Sequence, residues 1–338
     1  MTIPDPLGPG VREARLPVGA TLPLLVEATD PGLDVVAWAT RHREHLRDRT
    51  DRHGAVLLRG FAGVTAESFE AVVRRACGDP LEYVERSSPR HAVHGNVYSS
   101  TDHPARETIH LHNEQSYNLT WPLRICFCCL VAPGAGGATP LADCRRIHAR
   151  VPEAVRRRFA DRGGYLYVRN FGSGAGLDWQ EAFRTDDPAE VDRYCAANGI
   201  TTEWTGDGGL RTRQRRPAAT RHPRTGEWTW FNHITFFHVS TLGPDMAEAL
   251  VDAYGTENLP NNTYYGDGQE IEPEVLDLLR AAYAAELTEF PWQRGDVLLV
   301  DNMLTAHGRA PFEPPREIVV GMADPVTSDP RTAPATHR

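Results

Sequence analysis

Ile109-His110-Leu111-His112-Asn113-Glu114 is the stretch on which the reading of this chain turns. Side chains on a strand alternate faces, so His110, His112 and Glu114 point the same way. Two imidazoles and a carboxylate on one strand face are a ligand set rather than a piece of core. The helical His-Glu-x-x-His zinc motif is absent, and a cupin-type pattern needs its carboxylate about four residues past the second His, whereas Glu114 follows after two. What remains is His-x-Glu plus a distant His. Gly295-Asp-Val-Leu-Leu-Val-Asp-Asn302 supplies an apolar strand, and a short loop carries it to His307. His112, Glu114 and His307 would take one face of an octahedron and leave the other open, the two-His, one-carboxylate arrangement of non-haem iron chemistry.

The rest of the chain fits a β-rich body. Residues 1 to 30 are rich in Pro and Gly and read as extended. A helix is expected from Asp34 to Arg52, a strand from Ala55 to Phe61, and a helix capped by Thr65 and stopped by Gly78. From Tyr83 to Asn113 the chain is polar, a surface excursion or a lid. Strand-like runs follow at Arg124 to Val131, Gly164 to Arg169, Trp228 to Val239, Asp296 to Asp301 and Glu317 to Met322, with one helix between Pro273 and Glu289. Short strands separated by Gly and Pro clusters predict a barrel or sandwich with helices outside.

Four ordered segments resemble the TauD/TfdA (taurine dioxygenase-like) family of Fe(II)/2-oxoglutarate-dependent dioxygenases. They are His112-Asn-Glu-Gln-Ser-Tyr117, Pro133-Gly-Ala-Gly-Gly-Ala-Thr139-Pro-Leu-Ala-Asp143, Gly295 to Asn302, and His307-Gly-Arg-Ala-Pro-Phe312 running on to Arg316. They span about residues 83 to 323. The branch they are most similar to is that of clavaminate synthase, in which the carboxylate is Glu. The resemblance implies a double-stranded β-helix (jelly roll), mainly β with flanking helices, in a single catalytic domain over 1–338. Within it, 1–82 would be an α+β part packing on the barrel, 83–323 the core with insertions, and 324–338 a tail. It implies Fe(II), 2-oxoglutarate and O2 as cofactor and cosubstrates, with His112, Glu114 and His307 on the metal. Thr139 would hydrogen-bond a 2-oxoglutarate carboxylate, and Arg316 would pair with its distal one. Arg316 follows His307 more closely than in many relatives, and Arg309 is the alternative. The expected reaction is oxidation, with hydroxylation foremost, of a small polar metabolite such as a free or carrier-tethered amino acid in secondary metabolism. Desaturation, epoxidation or cyclisation would use the same ligands. Pocket walls are expected from loops around 83–108 and 170–225.

Composition narrows the field. All 36 basic residues are Arg, so chemistry that needs a lysine amine is excluded. A net charge of −9 argues against a nucleic-acid partner, and no stretch approaches a membrane span. Six cysteines in a chain of 338 residues make no disulfide framework, and a reducing, cytoplasmic compartment is expected. Cys126, Cys128 and Cys129 read as strand packing, as do Trp228 and Trp230. The basic run Arg211-Thr-Arg-Gln-Arg-Arg216, continuing to Arg221 and Arg224, reads as a solvated loop. Its sharper reading is a docking surface for an anionic substrate or an acidic carrier protein. A zinc-dependent hydrolase or a non-catalytic metal-binding jelly roll are the rivals from other classes. Neither accounts for Thr139 together with the segment from His307 to Arg316.

Overall fold

Apolar runs that would be too hydrophobic for a one-sided sheet form the centre of the molecule. Every residue of strands Ala55–Arg59 and Val297–Asp301 is buried in the computed structural model, which describes residues 7–16, 22–81, 91–100, 103–172, 176–206 and 208–328. These strands belong to an eight-stranded sheet in the order Val11–Ala14, Leu24–Ala28, Ala55–Arg59, Val297–Asp301, Thr120–Val131, Glu317–Thr327, Val97–Ser99, Ala92–His94. Both faces are covered, which is why the central strands lack polar alternation. On the outer face Val56, Leu58, Cys126, Cys128, Val297 and Leu299 pack against the helices that carry Val35, Trp38, Phe69 and Val72. On the inner face Leu57, Phe127, Cys129, Leu298, Val320 and Met322 meet Leu141, Phe290 and Trp292. The cysteine triplet therefore divides between the two faces by simple period-two alternation.

Facing this sheet is a small one of three strands, Ile109–His112, Thr305–Arg309 and Leu141–Asp143. The two sheets are the walls of the jelly roll. A four-stranded sheet, Ile200–Trp204, Leu210–Arg216, Tyr165–Phe171 and Asn261–Tyr265, lies in the long insertion between the second and third metal-motif segments. Its core joins Trp230, Tyr165 and Phe159 to helix Pro273–Glu286 through Val275, Leu279 and Tyr283. Among the described residues no helix is long and apolar enough to cross a membrane.

Most expected elements are present, with several differences. The helix read over Asp34 to Arg52 is two, Val35–Arg41 and Arg43–His53, broken at His42, whose Nδ1 sits 2.9 Å from the Trp38 carbonyl. The strand read over Trp228 to Val239 is strand only at Trp228–Thr229; a short helix, Ile234–Phe237, follows. There the Asn232 Oδ1 accepts the Ile234 N–H, a local cap that competes with strand pairing. Thr65 and Gly78 act as expected: Thr65 and Ser68 form a reciprocal cap, and Gly78 has φ 129°. The last strand continues past residue 323, pairing Thr327 with Thr120. At the other end, three N-terminal strands extend the main sheet itself.

The small sheet sets the register of the site. His307 lies directly opposite His112 in an antiparallel pair, with an irregularity before Arg309 meets Ile109. Gly308 permits this approach, since a Cβ there would lie 2.5 Å from the Ile109 carbonyl oxygen. Gly308→Ala must push the two strands apart at the point where both imidazoles are aligned. Overpacking of this kind costs about 1–3 kcal/mol, so a lowered unfolding midpoint and weakened metal binding are expected together in denaturant titration and metal competition.

Candidate active site

His112, Glu114 and His307 present ligand atoms that all lie within 4.8 Å of one another. The two imidazole centroids are 4.5 Å apart. The strand ends at His112, so Glu114 does not arrive by the strand alternation that the sequence suggested. It arrives through a turn in which Gln115 adopts φ 54°. That turn is held by Asn302, whose Oδ1 accepts the Glu114 N–H at 2.7 Å and whose Nδ2 donates to the carbonyls of Glu114 (2.8 Å) and Pro122 (2.9 Å). Asn113 in turn donates to the Asn302 carbonyl at 2.6 Å. A reciprocal amide clamp thus replaces the missing strand.

His112 Nδ1 lies 2.9 Å from the His110 carbonyl, a bond only an N–H can make. Nδ1 therefore carries the proton and the Nε2 lone pair remains for a metal. The loop that delivers His307 is capped by Asp301, whose Oδ1 accepts the N–H groups of Met303 (3.0 Å) and Leu304 (2.9 Å). Its Oδ2 meets Arg124 at 2.5 Å and His222 at 3.0 Å, and Arg124 continues to Asp51. Burial opposes charge on Asp301, yet Arg124 and His222 hold its carboxyl below the usual range. The sequence showed Asp301 and Asn302 only as parts of a motif; their roles needed partners far away in the chain.

These groups open onto a cavity of about 610 Å³. At one end stand Thr139 and Arg316. The Thr139 Oγ1 accepts the Trp292 indole N–H at 3.1 Å, which leaves its own proton to donate. Arg316 Nε donates to the Gly137 carbonyl at 3.0 Å, and its guanidinium carbon is 5.3 Å from the Phe312 ring centroid. Gly136 and Gly137 have φ 68° and 66°, and a Cβ on Gly137 would crowd Arg316 and Phe312 at 3.0 Å, so the paired glycines let the turn pass beneath the arginine. Among the described residues Arg316 has no carboxylate partner. Burial and the neighbouring Arg309 push its pKa down to about 10. Arg309 is engaged elsewhere: it donates to the carbonyls of His103, Pro104 and Glu107 at 2.6–2.8 Å and clamps that loop. The donor set suits an iron(II) ion, and a half-buried, uncompensated guanidinium beside a hydroxyl donor suits a dicarboxylate.

The opposite wall comes mainly from residues 233–261, with Phe236, Phe237, Val239, Leu242, Leu250 and Leu259. Of the loops expected to line it, 83–108 contributes Ser100, His103 and Thr108, and 170–225 only Gly176; residues 82–90, 101–102, 173–175 and 207 lie outside the described ones. His110, His233 and His238 also face the cavity. Burial pulls all three toward the neutral imidazole, helped by Arg280 at His110 and His238, the latter at about 4, and by His112 at His233. The basic run lies largely at the surface, with Arg215, Arg221 and Arg224 exposed and Arg216 buried, and several of its members are paired within the chain. Arg213 pairs with Glu203, Arg211 holds Asn170 and Asn258, Arg216 is buried on the Tyr117 carbonyl, and Arg224 reaches Asp51. Trp230 is core, and Trp228 stacks on His148. All six cysteines are free and buried.

The model of the taurine catabolism dioxygenase TauD, TfdA family matches residues 17–322. The chain is 40% identical over 285 residues to the dapdiamide synthesis protein DdaC of Enterobacter agglomerans, covering 84% of this chain and 86% of that one. It is 30% identical over 292 residues to a clavaminate synthase-like protein of Arabidopsis thaliana, covering 83% and 84%. Among solved structures, PvcB of Pseudomonas aeruginosa shares the fold, with a TM-score of 0.57 at 20% identity over 96% of this chain and 93% of that one. A carboxylate between two aligned imidazoles, on a barrel of this topology, is thus accompanied by family similarity along nearly the whole chain, and the protein belongs to the TauD/TfdA family of Fe(II)/2-oxoglutarate-dependent dioxygenases, in its clavaminate synthase-like branch.

Proposed function

We propose that His112, Glu114 and His307 hold one ferrous ion, that Thr139 and Arg316 seat 2-oxoglutarate, and that the enzyme hydroxylates an unactivated C–H of a small polar metabolite of the amino-acid type. The observation that carries this reading is the cross-strand alignment of His307 with His112, with the Glu114 carboxylate within 4.8 Å of both. The DdaC relative is named for dapdiamide synthesis, which supports a place in secondary metabolism. A bound ferrous ion with 2-oxoglutarate supplies the oxidising power, drawn from O2 and from decarboxylation to succinate.

The chain's own residues do the rest. His110 O fixes the tautomer of His112, and Asn302 fixes the backbone of Glu114, so the open face of the metal is set before any ligand arrives. Arg316 binds the distal carboxylate and Thr139 donates to it, which orients the cosubstrate. The apolar wall of Phe236, Leu250 and Leu259 keeps water from the reacting C–H. The whole chain acts as one catalytic unit in this reading. A free metabolite is favoured over a carrier-tethered one, because the arginines that would greet an acidic carrier are mostly paired internally. Six buried thiols suit a reducing cytoplasm.

His112→Ala, Glu114→Ala and His307→Ala are each expected to abolish 2-oxoglutarate-dependent succinate release. Normal turnover in the His307 variant would overturn the assignment. Arg316→Ala should raise the 2-oxoglutarate concentration needed by roughly tenfold to a hundredfold, the worth of a charge-assisted pair of about 1.5–3 kcal/mol. Coupling succinate release to product mass identifies the outcome: gain of one oxygen for hydroxylation or epoxidation, loss of two hydrogens for desaturation or cyclisation. Asn302→Ala removes the clamp on Glu114 without touching a ligand, and metal affinity measured against a chelator should fall by roughly 10–100-fold.

A further inference from the structure

His233 takes no part in the ligand set above, yet it is built into the site with unusual care. Its ring lies 5.8 Å from that of His112 and lines the same cavity. The rings run in sequence: Phe127 beside His307 at 5.2 Å, His307 beside His112 at 4.5 Å, then Phe236 at 4.6 Å and His233 at 5.8 Å from His112. His233 therefore stands on the His112 side of the metal ligands, and Phe127 on the His307 side. Phe237 stacks on His233 at 4.6 Å and Phe236 meets it edge-on at 5.3 Å. The short helix that begins here is fixed by Asn232, which donates to the Ala218 carbonyl, and by Thr263, which donates to the Ile234 carbonyl.

The hydrogen-bond inventory decides the tautomer. Ser116 Oγ and His233 Nδ1 are 2.6 Å apart, and both residues are buried. This is the only hydrogen bond of the Ser116 hydroxyl among the described residues. If Nδ1 carried the proton, that hydroxyl would accept and its own proton would be buried without an acceptor, a cost of about 1–3 kcal/mol for an unmade bond. Ser116 therefore donates to Nδ1, and the ring proton sits on Nε2. Nε2 makes no hydrogen bond to the described protein, and His233 does not belong to the metal-ligand cluster.

We infer that His233 is a substrate-binding residue that offers Nε2–H, beside the metal and between two phenylalanines, to an acyl oxygen of the substrate, an amide carbonyl or a carboxylate. This deepens the function proposed above and rests on it. Oxidation would then fall on a carbon close to that acyl group, because the donor and the metal ligands are neighbours. Ser116, two residues past Glu114, ties this contact to the turn that carries the metal carboxylate.

The test uses the full chain labelled with 15N in its histidine rings and loaded with Zn(II) and N-oxalylglycine, so that the metal and Arg316 are occupied. His233→Gln, and His233→Phe should Gln fold poorly, assigns the His233 resonances by their disappearance. Expected is the Nε2–H tautomer, with a saturable shift of that resonance on titration with N-methylacetamide and with acetate, and none with methylammonium, which has no acceptor. Ser116→Ala should abolish the tautomer preference. An Nδ1–H tautomer in the wild type, or an Nε2 resonance unmoved by both acceptors, would overturn the inference. Failure of the metal site itself is separately visible, as His112 and His307 resonances that do not respond to Zn(II).

Discussion

The pairing of strand Ile109–His112 with strand Thr305–Arg309 is the constraint on which the chemistry depends. Side chains alternate along both strands, so a slip of one residue would send one imidazole to the far face and leave no site at all. Such a register must be enforced from outside the pair. Leu141 flanks His307 on its other edge. Asp301 caps the loop just before the strand, Asn302 clamps the turn just after its partner, and Gly308 lets the backbones close. The buried chain from His222 through Asp301 to Arg124 and Asp51 is expensive to desolvate and returns specificity of position rather than stability.

Charge is distributed along the cavity with the same economy. Glu114 sits with the two imidazoles, and at the other end, among the described residues, one guanidinium has no counter-charge while its neighbour Arg309 donates to three backbone carbonyls. Burying an unpaired cation is costly, and the downward pKa shift of Arg316 records that cost. An incoming dicarboxylate relieves it. Arg309 adds its charge beside Arg316 while its own Nη1 and Nη2 are spent on backbone carbonyls, which is why the proposed reading gives the ligand to Arg316. Distance from His307 alone could not have made that choice.

The convergence of His112, Glu114 and His307 was legible because its signal is local chemistry at two places: His-x-Glu, and an apolar strand leading to a lone His. The resemblance added order to them. Glu114 was placed on the right face for the wrong reason, since the strand stops at His112 and a clamped turn takes over. Period two and a tight turn can present the same two side chains alike over so short a span. The segment 228–239 failed differently. A short run of aromatics and β-branched residues reads equally as strand or as buried helix, and the cap at Asn232 decided it. The arginine run reads as a surface and Arg215, Arg221 and Arg224 are exposed; what local sequence did not show is Arg216, buried on the Tyr117 carbonyl, and the pairing of Arg224 with Asp51.

What results is a cavity with two walls of separate origin. His112, Glu114, His307, Thr139 and Arg316 stand on or beside the strands of the barrel, where register and packing allow little change. The facing wall is drawn from residues 233–261, a segment of the insertion that carries no ligand and includes helix Pro244–Tyr254, which buries none of its side chains. Within it, Leu242, Leu250 and Leu259 line the cavity, whereas Phe236 and His233 pack beside the His112 ring. The Ser116–His233 bond joins the two walls, so the imidazole that this segment sets beside His112 is held from the turn that holds Glu114. Rigid strands and a separate wall segment thus share one cavity, and the Ser116–His233 hydrogen bond is a link between them.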